Sequence, residues 1–214
     1  MKEIVVYVEG GGNTVNQCRQ LREGFDRLFS RFKVQAPRKN ASLRFVCCGS
    51  RDDAYNDFCE AIREFPNRVN VLLVDSEEGV PPETADKTRN ARGRASHLTR
   101  RDGWDLTSAD PKSIHLMVQC MEAWIVADPD ALARFYGQRF ARNVLPTRQN
   151  LEDEPKQDIY EKLARATRNT QKGEYKKIKH ASKLLERIDP SKVVQRCPRF
   201  STFTQWLDKV IGDA

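Results

Sequence analysis

Residues Ile4 to Val8 are apolar without interruption, four of them β-branched and one aromatic, and the run stops at Glu9 and three glycines, Gly10 to Gly12. A strand apolar on both faces has no side to offer water, which is the pattern of a central strand in a parallel sheet covered by helices. The residues beyond the glycines fit that constraint. Asn13-Thr14 can cap a helix on which Val15, Cys18, Leu21, Phe25, Leu28, Phe29 and Phe32 recur at helical spacing. Leu43 to Cys48 reads as a second strand closed by Gly49-Ser50, and a helix across roughly 51–65 comes next, burying Tyr55, Phe58, Cys59, Ile62 and Phe65. Val71 to Val74 form a third strand that ends at Asp75. Strand–helix–strand–helix–strand predicts an α/β fold with a mostly parallel sheet flanked by helices.

The rest of the chain changes character. Residues 78–111 contain adjacent prolines, little apolar periodicity, and Lys87, Arg89, Arg92, Arg94, Arg100 and Arg101, which reads as a long basic loop or lid with at most a short helix. Ile114 to Val118 is a fourth strand, and Pro129 opens a helix. From Pro155 the pattern is helical, over about 156–168, 174–188 and 200–211, punctuated by Gly173, Pro190 and Pro198. The expected organisation is an α/β core over 1–128, with a basic lid at about 78–112, and a helical C-terminal extension over 129–214 packed on it.

Several functional classes are disfavoured. No apolar run approaches the roughly 18 residues of a membrane span, and the short apolar stretch after Met1-Lys2-Glu3 is no signal core, so a cytoplasmic protein is expected. The six cysteines form no C-x-x-C pair and have no histidine at ligand spacing, so reduced, buried thiols are expected rather than zinc. The glycine run is not followed by G-x-G-x-x-G, and there is no G-x-x-x-x-G-K-[ST] loop, which argues against a self-contained ATPase. A formal charge of +7 favours a polyanionic partner such as nucleic acid.

The chemistry-bearing residues lie at strand ends. Glu9 follows the first strand and Asp75 the third, where ligands of open parallel sheets sit. With Glu77 two residues on, they offer three carboxylates for Mg²⁺, with Mn²⁺ as a substitute, since hard cations take oxygen ligands and bridge to phosphate. Gly10 and Gly11 would admit a phosphate to the backbone. Glu122 either completes the cluster or serves as a first-turn acid facing a helix dipole. Lys176, Lys179 and Lys183 share a stripe suited to phosphates or to plain solvation. Lys177 or Arg199 can stabilise charge on a transferring phosphate, and His180 is a candidate acid/base or a structural histidine.

Val-Glu-Gly after the first strand and Leu-Val-Asp-Ser-Glu after the third resemble the Toprim fold, the metal-binding domain of topoisomerases, primases and the overcoming-lysogenization-defect nucleases. That pattern carries Asp-x-Asp where this chain has Asp75-Ser76-Glu77. Over nearly the whole chain, Gln119-Cys120-Met121-Glu122-Ala123-Trp124, Tyr175-Lys176-Lys177 with His180, and Cys197-Pro198-Arg199-Phe200 resemble a Toprim-related bacterial family known mainly as a domain of unknown function. Its members are often encoded beside ABC- or SMC-type ATPases in operons of phage-defence character. The resemblance implies a Mg²⁺-dependent nuclease-like effector with an ATPase partner. The alternative is a non-catalytic subunit that senses nucleic acid or docks that ATPase.

Overall fold

The computed structural model of the protein describes residues 1–12 and 14–213. Four strands, β1 (Lys2–Val8), β2 (Ala41–Cys47), β3 (Val69–Asp75) and β4 (Ile114–Met117), form one all-parallel sheet in the order β2-β1-β3-β4. Helices flank it, so the fold is α/β and consistent with a Toprim-like core. β1 lies between β2 and β3 and is buried on both faces from Ile4 to Val8, which accounts for its unbroken apolar run.

Alternation along the strands sorts the core into two layers. Ile4, Val6, Val8, Phe45 and Leu73 face α1 (Val15–Leu28), whose Phe25 meets Phe45 at 5.5 Å between ring centroids. The helices α7 (Lys156–Thr167), α8 (Lys177–Leu185) and α10 (Pro198–Gly212) contribute Leu163, Leu184, Phe200 and Phe203 to the same layer. Val5, Tyr7, Leu72 and Val74 face the other way, onto Phe58 of α3 (Arg51–Glu64) and Leu98 of α4 (Lys87–Asp102).

The first helix ends sooner than its pattern suggests: the chain turns at Phe29 and continues as α2 (Ser30–Arg38). Thr14 caps α1 by accepting the Gln17 N–H, while the capping expected of Asn13 lies outside the described residues. Asp128 caps α6 (Pro129–Tyr136) through the Ala131 N–H, as its place before Pro129 predicts.

The segment expected to be a basic loop instead carries α4, 16 residues long. Its buried positions are Ala91, Arg94, His97 and Leu98, so the core-facing stripe is half polar and escapes a reading based on apolar spacing. Arg94 is satisfied by the Ile114 carbonyl and by Glu83. Among the described residues no helix is long and apolar enough to cross a membrane.

Candidate metal centre

Parallel pairing sets Val8, the last residue of β1, beside Leu73, two residues before β3 ends at Asp75, so Glu9 and Asp75 lie together at the carboxyl end of the sheet. Glu9 turns back over β3, its Oε2 accepting the Asp75 N–H at 3.2 Å. The Asp75 side chain is fully buried, and its Oδ1 accepts the Met121 N–H at 2.8 Å. Glu77 joins them from a turn. Its φ of +69° places it in the left-handed region, and its N–H donates to the Gln119 carbonyl at 2.9 Å. Oxygens of Glu9, Asp75 and Glu77 thereby come within 4.8 Å of one another. Three hard oxygen donors at this spacing fit a divalent cation that keeps part of its water shell.

The acids are not left to repel one another. Arg51, the first residue of α3, reaches Glu9 at 3.0 Å and the Asp75 carbonyl at 2.5 Å. Asp102 at the end of α4 grips the same guanidinium at 3.0 and 2.7 Å, and Trp104 lies under it at 4.9 Å. Lys156 approaches Glu77 to 2.5 Å, and Lys177 approaches Asp75 Oδ2 to 3.5 Å. Three side-chain cations thus supply charge that opposes the three acids.

Burial pushes the Asp75 carboxyl up to about 7; Lys177 pulls it down, and Glu9 and Glu122 push it further up. Burial alone would lower Lys177, yet Asp75 first and Glu122 next outweigh it and hold the ammonium protonated. Glu122 opens α5 (Glu122–Val126) and is fully buried, but it does not complete the cluster. Its two oxygens accept the hydroxyls of Tyr160 and Tyr175, each at 2.8 Å, so it acts on Asp75 and Lys177 through its field.

Other expected site residues fall elsewhere. The Gly10 N–H, proposed for phosphate, is taken by the Gly49 carbonyl at 2.8 Å. Gly11 is demanded by packing: its φ is +106°, and a Cβ there would sit 2.9 Å from the Cys18 backbone. Lys176, Lys179 and Lys183 are exposed, and with Lys172 they surround His180. His180 is buried against Tyr136 and Phe135, and its Nδ1 accepts the Lys176 N–H. Burial and then those lysines lower its pKa, and it is remote from solvent, so the acid/base expectation is corrected to a structural histidine. Arg199 is corrected too. It is buried and its guanidinium is engaged by Glu152 at 2.8 Å and by the Pro81 carbonyl rather than by any of the three acids.

Arg51 and Lys156 are the residues sequence reasoning missed. Arg51 comes directly after the turn that ends β2, the same position rule that picks out Glu9 and Asp75. Lys156 gives no such sign, since its partner Glu77 lies 79 residues away.

A family described as Domain of unknown function (DUF4276) matches residues 8–208. No curated protein matches the chain, and no solved structure does.

Proposed function

The chain belongs to this DUF4276 family, whose description assigns no chemistry, and from the site itself we propose a Mg²⁺-dependent phosphodiester hydrolase, a nuclease-like effector acting on nucleic acid. The observation that carries the proposal is the convergence of Glu9, Asp75 and Glu77 within 4.8 Å at the carboxyl end of adjacent parallel strands. The order Glu-Gly after β1 and Asp-x-Glu after β3 also supports a Toprim relationship. Glu77 stands where that pattern has an aspartate, and from its left-handed backbone its carboxylate still reaches the cluster.

In this reading Glu9, Asp75 and Glu77 bind the cation. Mg²⁺ held there supplies charge neutralisation at the scissile phosphate and an acidified water. Lys177 and Lys156, whose ammonium groups rest on the acids, turn to the non-bridging oxygens of the phosphate and stabilise the charge that builds there. Arg51, clamped by Asp102 and stacked on Trp104, holds Glu9 in register through the cycle. The exposed lysines of α8 hold the backbone of the nucleic acid without reading its sequence.

Calorimetric titration with Mn²⁺, paired with cleavage assays on plasmid and on tRNA in Mg²⁺, tests the proposal. Saturable binding lost in Asp75→Asn, with cleavage lost in parallel, is expected. Absence of both in the folded wild-type protein would reject it.

One observation favours a second reading. Arg51, Lys156 and Lys177 balance the three acids by themselves, as suits a non-catalytic subunit that senses nucleic acid or docks an ABC- or SMC-type ATPase. Stable co-elution with the ATPase of a phage-defence operon, together with no Mn²⁺ binding, would move this reading ahead.

A further inference from the structure

A groove of about 700 Å³ runs along the outer edge of β2. Gly12, Gly49, Cys47, Arg19, Arg22 and Arg44 are among the residues that line it. The arginines are exposed and come from two different elements, α1 and β2. Arg19 has a loose contact with Glu23 at 3.8 Å, and among the described residues Arg22 and Arg44 have no carboxylate within ion-pair distance. Asp53, the groove's carboxylate, is turned to the Ser50 N–H and hydroxyl at 3.1 and 2.5 Å. β2 is an outer strand, so its outward N–H groups meet no further strand.

One end of the groove is tied to the end of β1: Gly49, which lines it, exchanges backbone hydrogen bonds with Gly10, the residue after Glu9. Guanidinium groups match phosphate oxygens in pairs of N–H donors. Assuming the nuclease-like reading, we propose that this groove seats the sugar–phosphate backbone of a single nucleic-acid strand whose adjoining phosphodiester lies at Glu9 and Asp75. Two features favour this over an acidic peptide added as a strand to β2. Its lining is joined, through the Gly49–Gly10 hydrogen bonds, to the residue that follows Glu9, and the net charge of +7 extends attraction for polyanions well beyond the groove.

The test is fluorescence anisotropy of the full chain with short labelled single-stranded DNA and RNA, in EDTA, across a salt series. The variant is Arg19→Ala/Arg22→Ala/Arg44→Ala, checked by circular dichroism and Mn²⁺ titration; exposed arginines leave fold and metal binding intact. The slope of log affinity against log salt flattens by about 2, at ~0.7 per lost contact to a single strand, and affinity at low salt drops about tenfold or more. Wild-type affinity and slope in the triple variant overturn the proposal. So does selective loss of binding to a polyglutamate peptide with oligonucleotide binding intact, which makes the edge a peptide dock. Because EDTA removes metal, the two readings separate. Lost oligonucleotide affinity in a protein that never binds Mn²⁺ sustains the groove and sinks the nuclease, whereas intact affinity in a metal-binding, cleaving variant does the reverse.

Discussion

Lys156 Nζ lies 2.5 Å from Glu77 Oε1 and 3.9 Å from Asp75 Oδ2, so one ammonium from the first turn of α7 bridges two of the three acids. A cation entering the site must displace it. Lys156→Met is therefore expected to bind Mn²⁺ about fivefold more tightly, the equivalent of ~1 kcal/mol for a half-buried pair. Cleavage falls at the same time, because the group that would turn to the phosphate is gone. Unchanged or weaker Mn²⁺ affinity in calorimetry would show that the lysine does not compete for the acids.

Asp75 gives the site a pH signature. Its folded-state value of about 7 stands above the ordinary carboxylate value near ~3.9, so the folded protein holds a proton that the unfolded chain has already lost. Its contribution to stability is complete below ~4 and declines as pH rises to about 7, with a slope of at most ~1.4 kcal/mol per pH unit. Asp75→Asn removes that slope in metal-free melting curves. Mn²⁺ affinity takes the opposite sense, rising with pH and levelling off above about 7 as the competing proton leaves. Affinity flat across that window would mean Asp75 is already ionised below it.

Glu122 depends on its two tyrosines. Tyr175 is buried and its hydroxyl serves a carboxylate with no exposure, so Tyr175→Phe is expected to destabilise the fold by ~2 kcal/mol in urea unfolding. Tyr160 is partly exposed, water can replace its hydroxyl, and Tyr160→Phe costs less. Mn²⁺ affinity changes little in either variant. A large loss of metal binding without loss of stability would place Glu122 among the ligands after all.

Local rules account for the features legible in the sequence. An unbroken apolar run announced a central strand, and the residues released at strand ends were the acids that converge. The hidden features depended on distance or on polar residues in buried places. α4 faces the core with Arg94 and His97, which apolar periodicity passes over, and through His97 and Asp102 it braces the Ser76 carbonyl and Arg51 beside the acids. Lys156 and Tyr160 reach the site from α7, and nothing near them in the chain marks that destination. Arg199 reads as one more cation of a basic C-terminal third, and its burial is not marked locally because its partner Glu152 lies 47 residues away.

That partner makes Arg199 a decisive case. Its backbone N–H and Nη1 both donate to Glu152, at 2.5 and 2.8 Å, and Nη2 donates to the Pro81 carbonyl, tying the start of α10 to the chain just after the Glu77 turn. Burial raises the Glu152 carboxyl and Arg199 pulls it back, so removing the guanidinium alone strands a charge in the interior. Arg199→Met is expected to cost ~3–5 kcal/mol in urea unfolding. The double variant Arg199→Met/Glu152→Gln recovers much of that loss, since neither side then carries an unpaired charge. Oligonucleotide affinity, measured where the single variant is still folded, stays at the wild-type value. A single variant of native stability with weakened affinity would return Arg199 to the phosphate-binding role its charge first suggests.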